Sequence, residues 1–450
     1  MTEMEKTKKM TLFGLAWPIF IETALFMLLG SVDVFVLSQY NDLAAGAVNT
    51  ANQAVSVTTI VFGAVSTASA VLISQYLGAG KKTDASRIGA LSITLNFISG
   101  LLVSIVFLIF NAPILGFVGA KGEILQLAGE YLSIVGGFIF LQSTMNAMSV
   151  IIRNHGMTKA SMYVTVGMNI LNTGLDVLFV LAFDLGVFGV AIATSLSRFI
   201  GIIVLAAVLF RKVESISAFR YLKPIPLRDI GKILRVGIPG ATETFLYNLS
   251  QLVITSIVLN FLSEEELIAK TYVQNITMFF YIFSLSIGQA SQILIGHLIG
   301  AGKTDEAYRR GIASYRRALL ITLSVCAVGT LLRYPLLGIF TDNPTVIEFG
   351  AGVLLINLAL EFGRTTNLVL IACLRGTGDV YFPTACAVFS NWTLSVLGSY
   401  LLAVVCGLGL YGLWIALAAD EAVRGVLMIL RWKSGKWKSK RIVKENAYET

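Results

Sequence analysis

The chemistry open to this sequence rests on a few polar residues set in apolar runs. Residues 17–39, WPIFIETALFMLLGSVDVFVLSQ, are apolar enough to cross a bilayer, yet they hold Pro18, Glu22 and Asp33. A carboxylate at hydrocarbon depth costs about 3 kcal/mol or more, so a chain keeps one only where it faces protein or water. Further on, Asn172 and Asp176 stand four apart in another apolar run, so their side chains share one helix face. The hydroxyls of Tyr131 and Thr194 lie on neighbouring runs. In a dry bundle, desolvation and a second acid both favour a protonated carboxyl. Asp33 and Asp176 therefore suit a proton carrier at physiological pH, or an oxygen cage for a monovalent cation. Asp176 has a plainer reading as well, as the cap of a helix end near the outer interface.

Other charges and soft side chains read differently. Glu361 and Arg364, three apart, neutralise each other on a helix; Arg198, and Asp420, Glu421 and Arg424, read the same way. Met145, Met148, Met278, Phe279, Phe280 and Tyr281 could line an adaptable substrate cavity, although most such side chains pack helices or face lipid. His155 and His297 show no ligand spacing, and Cys326, Cys373, Cys386 and Cys406 read as small buried hydrophobes. No metal or organic cofactor is implied. No Walker A, HExxH, CxxC or GxSxG sequence occurs, which gives no support to ATP hydrolysis or other enzyme chemistry.

These residues must be positioned by membrane helices. Hydrophobic residues make up 56% of the 450 and charged ones 13%, with mean hydropathy +0.79, which excludes a soluble domain. Twelve spans are expected: 11–38, 47–77, 88–115, 124–152, 158–183, 186–211, 230–262, 266–299, 309–333, 344–373, 379–406 and 408–432. Basic residues collect in alternate loops. Lys6, Lys8 and Lys9 precede the first span, seven basic residues lie in 211–235, five in 303–317 and seven in 431–444. The opposite loops carry Asp42, Asp184, Glu264, Glu265, Glu266 and Asp342, so both termini are expected in the cytoplasm. The net charge of +8 then answers to membrane topology and anionic lipid, and no nucleic-acid partner is needed.

Residues 212–229, with Pro224 and Pro226, divide the chain into a bundle at 1–211 and a bundle at 230–432; residues 433–450 form a basic cytoplasmic tail, expected to be mobile or to lie on lipid. The halves repeat. Gly78-Ala79-Gly80-Lys81 recurs as Gly300-Ala301-Gly302-Lys303, Pro18 and Glu22 recur as Pro239 and Glu243, and Arg153 recurs as Arg375. Six spans per half make the repeats parallel, related by an axis along the membrane normal, with a cavity expected between two six-helix bundles. The acids break the symmetry. Asp33 aligns with Ile254 and Asp176 with Ser399, which favours a specialised role for both. Glu22 and Glu243 are duplicated, which favours architecture.

Twelve spans in two repeats, Pro18…Asp33, and the LGAG loops after spans two and eight resemble the multidrug and toxic compound extrusion (MATE) family over almost the whole chain, most of all its prokaryotic DinF-like branch. The resemblance implies a coupling site of Asp33, Asn172, Asp176, Tyr131 and Thr194, with Pro18 as a bend in the first helix. A NorM-like cation site would need a span-seven Glu two turns after the proline, near Tyr247. The alternative cation site offered here is Glu243, a turn earlier, with Glu361 on span ten.

The expected function is proton-coupled antiport of amphipathic, often cationic, organic compounds by alternating access, in a monomer in the cell membrane. A sodium-coupled antiporter using the C-terminal bundle, a lipid-linked-precursor flippase, and a non-transporting receptor or scaffold are the alternatives.

Overall fold

The computed structural model describes residues 10–213 and 216–443. Lys6, Lys8, Lys9 and the tail beyond residue 443 lie outside them. Among the described residues there is no strand. The chain divides into two compact units, one of Trp17–Ala241 and one of Thr242–Thr450 with Met1–Ala16. The cuts fall beside Pro18 and beside Pro239.

The first unit is built from α1 (Leu12–Ser38), α2 (Asp42–Gly78), α3 (Lys82–Val118), α4 (Gly122–Tyr131), α5 (Ile139–Asn154), α6 (Thr158–Asp176) and α7 (Gly186–Lys212). α8 (Leu227–Phe261) crosses the second cut. The second unit continues with α9 (Glu264–Gly300), α10 (Thr304–Leu331), α11 (Arg333–Gly338), α12 (Pro344–Thr377), α13 (Tyr381–Ser390) and α14 (Gly409–Lys433).

Helix starts and stops follow from local chemistry. Asn41 caps α2 by accepting from the Leu43 N–H at 2.7 Å. At the matching place Ser263 and Glu266 form a capping box on α9. The GAGK tetrads are tight turns, as their composition predicts: Gly80 (φ +72°) and Gly302 (φ +75°) take a left-handed conformation that other residues resist. Pro113 removes a backbone donor inside α3, and Phe110 leaves helical geometry just before it.

Span four is not one straight rod. Residues Leu132–Gly136 loosen into a π turn, and Gly122–Gly136 meets Ile139–Asn154 at 44°. The break falls at Gly136-Gly137, where a Cβ on Gly137 would lie 2.4 Å from the Ser133 carbonyl oxygen.

Among the described residues ten helices are long and apolar enough to cross a bilayer, and the bent pair makes eleven. α14 is the twelfth, with 25 residues; Asp420, Glu421 and Arg424, which pair among themselves, interrupt its apolar run. The fold is an all-α, twelve-span membrane fold. Within each unit an apolar core forms around the site-bearing helices, Phe107, Tyr131, Leu132 and Val190 in the first and Val258, Phe280, Leu354 and Trp414 in the second. Large apolar side chains such as Phe35, Ile109, Leu252 and Leu320 point outward, as a lipid-facing surface requires.

Two expectations are corrected. Cys326 and Cys373 are buried, but Cys406 is exposed, because it sits where the last turn of its span opens out. The basic tail is not loose as far as residue 443: Trp437 and Val443 are buried against the second unit. An indole supplies enough apolar surface to hold down a lysine-rich segment.

Candidate functional site

The first unit gathers polar residues of four spans at one buried point. Asp33, Tyr131, Asn172, Asp176 and Thr194 are each no more than 2% exposed. Asp33 Oδ2 lies 3.3 Å from the Tyr131 hydroxyl and 3.3 Å from the Thr194 hydroxyl, both placed to donate to it. Asn172 Nδ2 reaches the Thr194 oxygen at 3.5 Å. These are long contacts, which mark loosely held partners rather than a locked network.

Asp176 belongs to the same cluster. It lies within hydrogen-bonding reach of Asp33, yet among the described residues no donor reaches either of its oxygens, and Asp33 Oδ1 and Asn172 Oδ1 also lack one. Two buried carboxyl groups that face each other without a donor need a proton or a cation between them. The plainer reading of Asp176 as an interfacial cap meets a side chain that is wholly buried.

Local backbone geometry aims these groups. Tyr131 and Asp176 are each the last α-helical residue before a π turn, Leu132–Gly136 and Val177–Ala182. Such turns rotate the following side chains off the ordinary register. The second turn recurs 223 residues later as Tyr400–Val405, where Ser399 takes the place of Asp176. The distortion belongs to the repeat; the acid belongs to one half.

Two neighbours are not placed at this site by the sequence. Asn52 on α2 places Oδ1 3.3 Å from the Tyr131 hydroxyl, whose single proton serves either Asn52 or Asp33. Arg198 was grouped with charges that neutralise one another. No carboxylate lies within ion-pair distance of it among the described residues; it acts on Asp33 and Tyr131 electrostatically from one turn beyond Thr194. The four-residue spacing of Thr194 and Arg198 was the available signal. One guanidinium then acts on Asp33, and Asp176 feels no such charge.

In the second unit the charges close on themselves. Arg364 pairs with Glu361 at 2.8 Å and approaches Glu421 at 3.7 Å; Arg424 pairs with Glu421 at 3.0 Å and Asp420 at 2.6 Å. Ser395 donates to Asp420 at 2.8 Å and Asn367 to Glu421 at 3.0 Å. Tyr281 stacks under Arg364, ring centroid 5.4 Å from the guanidinium carbon. Glu243 is held elsewhere, by Arg375 at 2.8 Å and the Thr384 hydroxyl at 3.0 Å. Each glutamate of the alternative cation site thus carries its own arginine, and no cluster of three or more metal-ligating side chains occurs among the described residues.

Pro18 lies inside α1, which runs through it without a break. Of the cavity candidates, Met145 is buried and packs toward Gly201, Met278 and Tyr281 are half-buried, and Phe279 is 52% exposed. His155 Nδ1 lies 2.9 Å from the Ile151 carbonyl oxygen, a local contact with no ligand role.

The model of the family described as MatE matches residues 18–178 and 239–401, one match in each half, each beginning at the proline of a first helix. The chain belongs to the MatE family. The MATE assignment is matched by relatives along the whole chain. It is 37% identical over 436 residues to the "Uncharacterized transporter YisQ" of Bacillus subtilis, covering 96% of this chain and 95% of that one. It is 29% identical over 436 residues to the "Probable multidrug resistance protein NorM" of Thermotoga maritima, covering 96% and 94%. A solved MATE structure in the bent conformation superposes with a TM-score of 0.87 at 22% identity, covering 94% of each chain, a likeness of fold. The protein is a multi-pass MATE family transporter.

Proposed function

We propose that this MATE transporter is a secondary antiporter that exports amphipathic, often cationic, organic compounds in exchange for protons. The observation that carries the reading is the Asp33–Asp176 pair: two buried carboxyl groups in mutual reach, with three of their four oxygens lacking a donor. Arg198 offsets one negative charge, so the pair holds either one proton or one organic cation at little electrostatic cost. Competition for that single charge couples the two cargoes. Tyr131 and Thr194 orient Asp33, Asn172 orients Thr194, and Pro18 permits α1 to bend as the charge state changes. The name of the Thermotoga relative supports organic compounds as cargo.

Alternating access in the cell membrane follows from this reading, with a monomer as the working unit and both termini in the cytoplasm. The coupling ion is the only cofactor it needs. Sodium is the second reading, favoured by one observation: Asn172 Oδ1 is buried without a donor and adds a neutral oxygen beside the two carboxyl groups. Reconstituted vesicles carrying a fluorescent organic cation decide between them. Uptake driven by a proton gradient and indifferent to a sodium gradient supports proton antiport; the reverse pattern supports sodium, and no uptake under either gradient rules out both.

A further inference from the structure

The docked part of the tail builds a basic recess with the start of α10. Asp305, Tyr308 and Arg309 from the first turns of α10 face Lys433, Ser434 and Lys438 from the end of α14 and beyond, around a recess of about 710 Å³. We propose that this recess binds the phosphate headgroup of an anionic phospholipid.

The walls are fixed. Gly435 (φ +67°) turns the chain back, and the following 3₁₀ turn, Lys436–Lys440, is held by Trp437. That indole stacks on Trp432 at 4.4 Å and 13° and donates its N–H to the Trp432 carbonyl at 2.8 Å. Trp432 in turn lies parallel to Tyr308, ring centroids 6.3 Å apart, and directly over Gly311. Beyond the turn, Arg441 donates to the Gly300 carbonyl at 2.6 Å. The lysines of this segment are thus presented by packed structure and not by a free chain end.

Charge defines the ligand. Three cations and a phenol face one carboxylate, and that carboxylate is engaged: Lys438 Nζ lies 2.8 Å from Asp305 Oδ1. Arg309 and Lys433 line the recess with exposed side chains, a planar fork and a point charge of the kinds that bind phosphate. Location selects the source. The lining residues flank the start of α10 and the end of α14, both read as membrane spans, so the recess opens at headgroup depth, where lipid phosphate is the abundant anion.

The test is native mass spectrometry of the full-length protein in detergent, titrated with phosphatidylglycerol or phosphatidylcholine. Phosphatidylglycerol should be retained at the lower concentration. Replacing Arg309→Gln with Lys433→Gln should raise its half-saturation roughly thirtyfold, about fivefold for each cation removed near a lipid surface. Replacing Lys436→Gln with Lys440→Gln, in the same segment but outside the recess, should change it by less than about threefold. Both variants alter exposed side chains, and gel filtration verifies that they fold. Equal retention of the two lipids, or equal loss in the two variants, overturns the site. Displacement of phosphatidylglycerol by millimolar inorganic phosphate would assign the recess to a soluble anion and overturn the lipid proposal.

Discussion

Arg153 Nη1 stands 3.7 Å from Glu22 Oε2, and the second half repeats the relationship between Arg375 and Glu243 at 2.8 Å. Each glutamate also accepts from a hydroxyl at 3.0 Å, Ser161 in one half and Thr384 in the other. The pattern fastens the first helix of a half, one turn after its proline, to the end of the fourth span and the start of the fifth. A fastening built twice is a property of the scaffold. Glu243→Gln should therefore lower thermal stability by on the order of 2 kcal/mol, between exposed and buried pairs. Thermal denaturation in detergent reads this, and the pH dependence of drug binding should be unchanged; loss of that pH dependence would give Glu243 a coupling role.

The network around Arg364 makes a second prediction. Removing Arg364 alone leaves Glu361, which is fully buried, without its 2.8 Å partner. Arg364→Gln should cost about 3–5 kcal/mol, and Glu361→Gln with Arg364→Gln should be milder, because no uncompensated charge remains. Equal destabilisation by the single and double changes would show that Glu361 acts independently, as a sodium ligand would.

Gly311 tests the docked tail. A Cβ there would meet the Trp432 ring at 2.3 Å, so Gly311→Ala must displace the indole that Trp437 stacks on. Overpacking of this kind costs about 1–3 kcal/mol. Trypsin should then cleave the 436–440 segment faster than in the wild type; unchanged cleavage would mean that the tail holds without this contact.

How far these features were legible depended on contrast. Asp33, Asn172 and Asp176 stood out because charge and amide are costly among apolar residues, and the repeat offset isolated the acids to one half. The helix turns at Gly80 and Gly302 were legible from composition. Asn52 was not, because an amide in a polar-flecked stretch, ANQAVS, carries no such contrast. Arg198 was seen but misplaced, since a lone cation does not say which distant acid it will face. The break at Gly136-Gly137 depends on Phe107 of another helix, and the burial of Trp437 on Trp432 across the turn at Gly435, a spacing of five that no regular element predicts.

Asp33→Asn should abolish gradient-driven efflux while leaving folding near normal, because the amide keeps the shape but neither carries a proton nor holds a cation's charge. Vesicle flux alongside gel filtration checks both halves of the statement. Wild-type transport by this variant would make Asp33 structural.

The most direct test of proton coupling through the acid pair is a fluorescent-cation binding titration in detergent at several pH values, with sodium replaced by potassium or choline at constant ionic strength. A protonated Asp33 or Asp176 loses its attraction for a cation, so drug affinity should fall as pH falls. Linkage requires drug binding to release protons with the same coupling free energy. Asp176→Asn should flatten the pH dependence, Glu243→Gln should preserve it, and sodium should have little effect in the wild type. A sodium dependence that survives in Asp176→Asn and vanishes in Glu243→Gln would contradict the account and move coupling to the second unit.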